Sequence, residues 1–167
     1  MPLLLRPFEA DDEAPALAAN DVFIAEDFTF LLGYTDGMSW SEWIQENERI
    51  RAGIDLPPER VRAAFLAAVV DGHLVGRVSV RFDLNESLAR EGGHIGYGVL
   101  PAFRRQGFAT EILRQAVDLG HREGVQWLLV ICDEVNVGSA RVIERCGGVL
   151  EDQATAEDGT PIRRYWI

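Results

Sequence analysis

A chain of 167 residues with 47% apolar and 26% charged composition can bury a normal core, and one domain spanning residues 1–167 is expected. Its net charge of −11 disfavours nucleic-acid binding through a general basic field, and no apolar run approaches the ~20 residues of a membrane span. Lysine is absent and all sixteen cations are arginine, which excludes a Walker phosphate loop and a pyridoxal Schiff base.

The first segment, "MPLLLRPFEADD", makes a poor secretory signal, because three leucines are followed at once by acids. With only two cysteines, Cys132 and Cys146, and no metal-ligand spacing, reduced core thiols and a cytoplasmic location are expected. Residues 1–60 carry thirteen acids and four arginines, whereas residues 61–167 carry fourteen and twelve. The acidic amino-terminal part is either solvated surface or a field that attracts a cationic substrate.

In chain order, "LLLRPF" reads as a strand. "DDEAPALAANDVF" reads as a helix opening on acids and a proline. "FTFLLGYTDGMSW" reads as a loop, after which Ser39 caps a helix that Gly53 stops. Asp71-Gly72 lies between two apolar runs and marks a hairpin. "GGHIGYGV" is a glycine-rich strand, which suggests close approach to its backbone. The next helix, from about Gly107 to His121, sets Phe108, Ile112 and Ala116 beside Ala109, Leu113 and Val117 in one wide apolar stripe. "VQWLLVICD" reads as a central strand covered on both faces. Asn136 opens a second helix that Gly147 stops, and two strands close the chain around Asp158-Gly159. The order predicts an α/β (α+β) fold with a mixed, mostly antiparallel sheet and helices on both faces.

The run "VLPAFRRQGFATEIL" joins a strand end to a helix through two arginines and a glycine. The first amides of a helix lack internal partners, and the helix dipole favours an anion there. Gly107 has no Cβ, so a bulky anion can lie against the backbone, and Arg104 and Arg105 add donors. The chemistry suits a diphosphate. A dinucleotide fingerprint is missing, since "GHIGYG" has the wrong spacing and lies within a strand.

The pattern R-x-x-G-x-A at Arg104, Gly107 and Ala109, followed by "NVGSARVIERCGG", resembles the GNAT (Gcn5-related) N-acetyltransferases. The specific likeness runs over residues 92–146, and the element order fits over residues 61–167. Residues 1–60 fit loosely, and in that family this region builds much of the acceptor pocket. The resemblance implies acetyl-coenzyme A as donor, no metal, and a small-molecule or peptide amine as acceptor. Homodimers are common in the family, so a homodimer is compatible with it. The diphosphate is expected on the amides of Arg105, Gln106, Gly107, Phe108, Ala109 and Thr110, with Arg104 nearby. The pantetheine arm is expected between two splayed strands, with the amide of Val99 or Leu100 on the thioester carbonyl. Asn136 matches an asparagine that contacts the cofactor.

Direct attack by a neutral amine needs a base and a proton donor to the thiolate. Many relatives place a tyrosine donor where this chain has Ile143, so Ser139 and then Tyr97 are the expected substitutes. His94 is the expected base, on a strand face shared with Gly96 and Gly98, with Asp133 and Glu134 as alternatives. Phe28, Phe30, Trp40 and Trp43 are either core or the walls of a pocket for a cation. The rival reading is a coenzyme A-binding module without turnover, favoured by Ile143.

Overall fold

A computed structural model describes residues 2–167. Seven strands form one sheet in the order β1-β2-β3-β4-β5-β7-β6. They are β1 (Leu4–Pro7), β2 (Ala63–Val70), β3 (His73–Arg81), β4 (Ile95–Val99), β5 (Leu129–Asp133), β6 (Val149–Thr155) and β7 (Pro161–Trp166). The helices are α1 (Glu13–Ile24), α2 (Trp40–Ala52), α3 (Phe108–Arg122) and α4 (Val137–Arg145).

Alternation sorts the side chains of β2 onto two faces. Ala64, Leu66 and Ala68 join Ile112, Leu113 and Ala116 of α3 and Ile143 of α4 in one core. Phe65, Ala67 and Val69 join Phe23 of α1 and Trp40 and Trp43 of α2 in the other. The β2–β3 hairpin turns at Asp71 and Gly72, both at positive φ, as the dipeptide predicts. Ser39 and Glu42 form a reciprocal cap on α2, and Gly53 ends that helix in the left-handed conformation. Glu9 and Asp12 place a short 3-10 turn before α1, so this helix begins two residues later than its acids suggest.

The aromatic residues of the amino-terminal part belong to the core. Phe30 is 0% exposed, Trp43 1% and Trp40 5%. The indole N–H of Trp40 donates to the Glu9 carbonyl and that of Trp43 to the Leu32 carbonyl, both at 2.9 Å. They wall no cation pocket. The ring of Phe28 faces a cation of the protein itself, with the Arg77 guanidinium 4.4 Å from its centroid.

All neighbouring strands are antiparallel except β4 and β5, which the crossover through α3 makes parallel. That pair holds a single registered contact, Ile95 with Val130. Beyond it β4 stays with β3 to Val99, while β5 stays with β7 to Asp133. The two strands therefore diverge toward their carboxyl ends and open a gap in the middle of the sheet.

Candidate active site

The parity of β4 decides which groups face this gap. Arg81 N–H donates to the His94 carbonyl and Leu100 N–H to the Val75 carbonyl at 2.9 Å. Even-numbered residues of the strand thus bond to β3, and the odd ones turn their amides and carbonyls toward β5. Val99 is odd, and no β5 partner reaches its level. Its carbonyl accepts from Arg104 Nε at 3.0 Å. Of the two amides expected to meet a thioester carbonyl, Leu100's is committed to Val75, which leaves Val99's.

Immediately after β4 the chain makes a short turn and enters α3. Arg105 has φ 63 and Gly107 has φ 84, both left-handed. Left-handed residues in a turn aim successive amides into one concavity, an arrangement that receives anions. The amides of residues 105–110 donate to no acceptor among the described residues. An added Cβ at Gly107 would meet nothing within 4 Å, so the space over these amides is open. Six free amides at the amino end of a fifteen-residue helix fit a diphosphate.

Arg104 departs from its expected place. Its Nη1 donates to Glu26 Oε1 at 3.0 Å, Nη2 to Glu26 Oε2 at 2.5 Å, and Nε holds Val99. It ties the end of β4 to the segment after α1 rather than offering its guanidinium to an anion. The hydrogen bond from Arg104 holds the Glu26 carboxyl below its usual range.

On the α4 face of the gap, the Tyr97 hydroxyl and Ser139 Oγ lie 2.8 Å apart. The two proton-donor candidates are therefore one hydrogen-bonded pair, joining β4 to the first turn of α4. Burial raises the Tyr97 phenol well above its ordinary value, so it stays protonated. Asn136 Oδ1 accepts from the Ser139 amide at 3.1 Å, capping α4 and leaving the Asn136 amide nitrogen free of protein partners. Cys132 is buried and Cys146 half-buried; both are free, with thiol pKa values pushed up by burial. Ile143 is fully buried in the core under α4.

His94 does other work than the sequence suggests. Its Nδ1 accepts the Leu129 amide at 2.8 Å, while its own amide donates to the Leu129 carbonyl at 2.7 Å. The ring is 6% exposed and sits beside Trp166, at the opposite end of β4 from Val99. Burial lowers its pKa, and the imidazole is neutral with the proton on Nε2. It is a clamp between β4 and β5 rather than a base at the gap. Nor is there open space beside Gly98, where a Cβ would stand 2.9 Å from the Phe28 ring; at Gly96 the nearest atom to a Cβ is Arg77 Nη1 at 3.9 Å. Asp133 is exposed at the end of β5, and Glu134 is half-buried with its amide on the Pro161 carbonyl.

Glu26, beside the end of β4, and the buried Arg77 and Ser79 of β3 are polar residues that sequence reasoning passed over. Each takes its position from partners far along the chain, and only the arginine in an apolar strand, "LVGRVSV", carried a local signal. The described residues contain no group of His, Cys, Asp and Glu able to hold a metal, and no helix long and apolar enough to cross a membrane.

Comparison with known proteins gives these observations a context. A family model described as an acetyltransferase (GNAT) domain matches residues 2–149. No curated protein matches significantly. Among solved structures, the chain is similar to a ribosomal L7/L12 alpha-N-protein acetyltransferase in complex with coenzyme A, at 18% identity and a TM-score of 0.70, with 99% of this chain and 93% of that one covered. It is similar to a microcin C7 self-immunity acetyltransferase in complex with acetyl-CoA and AMP, at 19% identity and a TM-score of 0.67, covering 99% and 91%. A third is a Salmonella typhimurium acetyltransferase with its cofactor acetyl-CoA, at 15% identity and a TM-score of 0.65, covering 99% and 92%. At these identities the likeness is one of fold.

Proposed function

Because the chain belongs to the GNAT acetyltransferase family, we propose that the gap between β4 and β5 is its donor site and that the acceptor is a small-molecule or peptide amine. Acetyl-coenzyme A supplies an acyl carbon already activated as a thioester. The observation that carries the reading is the run of six unpartnered amides, residues 105–110, at the mouth of the one place where neighbouring strands part.

In this reading those amides and Arg105 hold the diphosphate. The gap takes the pantetheine arm, and the free nitrogen of Asn136 bonds to it. The Val99 amide donates to the thioester carbonyl and stabilises the oxyanion as a neutral amine attacks. The carbon–nitrogen bond forms, the carbon–sulfur bond breaks and the sulfur leaves as a thiolate, while the surplus proton of the nitrogen passes to water and water returns a proton to the thiolate. A phenol with a raised pKa transfers its proton to a thiolate only uphill, so Tyr97 and Ser139 stabilise the leaving sulfur by hydrogen bonding. The ionised Glu26 stands beside the end of β4, where its charge draws in the ammonium; bound to Arg104 it is too weak a base to take the proton that the sequence assigned to His94, and that proton passes to water. Residues 1–60 supply the acceptor side through α1, α2 and the loop between them. We place the reaction in the cytoplasm, where acetyl-coenzyme A and reduced thiols such as Cys132 and Cys146 coexist.

The test is release of free thiol from acetyl-coenzyme A with a panel of amines, together with mass detection of the acetylated product. Transfer to at least one amine class is expected. Slow thioester hydrolysis with every amine inert would refute the reading.

A further inference from the structure

On the α2 side of the sheet, Arg77, Ser79 and Arg81 alternate along β3 and share one face. Among the described residues, neither arginine has a carboxylate partner. Arg77 is 3% exposed and donates to the carbonyls of Phe30 at 3.1 Å, Thr29 at 2.5 Å and Gly96 at 3.1 Å. Arg81 donates through Nη1 to the carbonyls of Gly92 and Gly93, and its Nε and Nη2 have no acceptor among the described residues. Ser79 is 4% exposed, and its hydroxyl likewise has no hydrogen-bond partner there.

These residues border a cavity of about 480 Å³ between α2, β2 and β3. Ser79, Arg81 and Arg60 are among its lining residues. Arg60 is loosely held, its nearest carboxylate being Glu46 at 3.9 Å, which is itself bound to Arg49 at 2.8 Å. Glu59 is the one acidic residue in the lining. Burial, and to a smaller degree the neighbouring Arg81, push Arg77 down to about 9, and burial alone lowers Arg81. Two desolvated guanidinium groups on one strand face, in a protein of net charge −11, are costly without a counter-charge.

We infer that this cavity binds an oxyanion, a carboxylate or phosphate carried by the acetyl acceptor, between Arg81 and Arg60 and above the Ser79 hydroxyl. The inference rests on the acetyltransferase reading for the identity of the bearer, and on the cavity alone for the anion. Arg77 beneath the floor supplies field, while Arg81, Arg60 and Ser79 supply the donors. Ser79 pairs with Gly96, three residues before Val99, so the anion lies roughly 10 Å along the strand from the proposed thioester carbonyl. The acceptor thus has its amine and its anionic group at well-separated ends.

The experiment uses the full chain saturated with coenzyme A, so that the amides of residues 105–110 are occupied. Inorganic phosphate and succinate are titrated separately at constant ionic strength, and amide and arginine side-chain shifts are followed by nuclear magnetic resonance. Saturable shifts at Ser79, Arg60 and Arg81 are expected with at least one anion, and the anion that binds tells phosphate from carboxylate. Arg81→Gln should weaken that binding about tenfold or more while coenzyme A affinity stays unchanged. Arg60→Gln, at a more exposed and loosely tied position, should do the same without risk to folding. No saturable shift with either anion, or saturation that survives both substitutions, overturns the inference. If coenzyme A itself fails to bind, the acetyltransferase reading falls, and the same titration with the same two variants still decides whether the anion site exists.

Discussion

Replacing Gly107 by valine tests the donor site directly. The residue has φ 84, where a β-branched side chain costs about 1–2 kcal/mol. Nothing lies within 4 Å of the position its Cβ would take, so no clash adds to that cost and the variant folds. The new side chain would stand over the free amides of residues 105–110 and deny the diphosphate at least two of them. Each charge-assisted bond is worth about 1.5–3 kcal/mol. The loss is therefore at least roughly 3 kcal/mol, or about 150-fold in affinity. Calorimetric titration with coenzyme A reads this number, and S-acetylpantetheine, which lacks the diphosphate, is the internal control. Its affinity should move by less than about threefold, because the valine stands outside the gap that holds the arm. Unchanged coenzyme A affinity, or an equal loss for the fragment, would show that these amides are ordinary turn groups.

Three further outcomes follow from the geometry. Tyr97→Phe and Ser139→Ala should each lower kcat by a similar factor with little change in KM, and the double variant should be no worse than either, because the two hydroxyls act as one pair; additive losses would separate them. His94 is held neutral in the fold, so the unfolded chain binds a proton that the native one refuses. Stability measured by urea unfolding should accordingly fall as pH drops below about 6.5, and His94→Gln should remove that slope while leaving the pH profile of transfer unaltered; a changed profile would return His94 to the reaction. Arg77→Met leaves the carbonyls of Thr29 and Phe30 without a donor, at about 1–3 kcal/mol each, while the Gly96 carbonyl keeps its partner on β3. The melting temperature should drop by at least roughly 4–8 °C, and a fall under about 3 °C would mean that water replaces the guanidinium.

The sequence by itself determined what neighbours along the chain decide. Asp71-Gly72 turns a hairpin and Ser39 caps α2 because the competing conformations are excluded within a few residues. The apolar stripe of α3 and the free amides ahead of it are likewise local, since a helix start has no earlier turn to bond to, whatever the rest of the protein does. That is why the proposed donor site is legible in the sequence. The tertiary structure decided which side chains are free to act. Whether His94 is a base or a clamp depends on Leu129, thirty-five positions away, and on the register of a parallel pair that no periodicity encodes. Arg104 turns from anion ligand to strut because Glu26, seventy-eight positions off, arrives beside it. Tyr97 and Ser139 became one unit only when α4 was laid across β4. A side chain's chemistry is set by what desolvates it and what it bonds to, and both are delivered by strand register and helix packing over distances that short-range propensities do not reach.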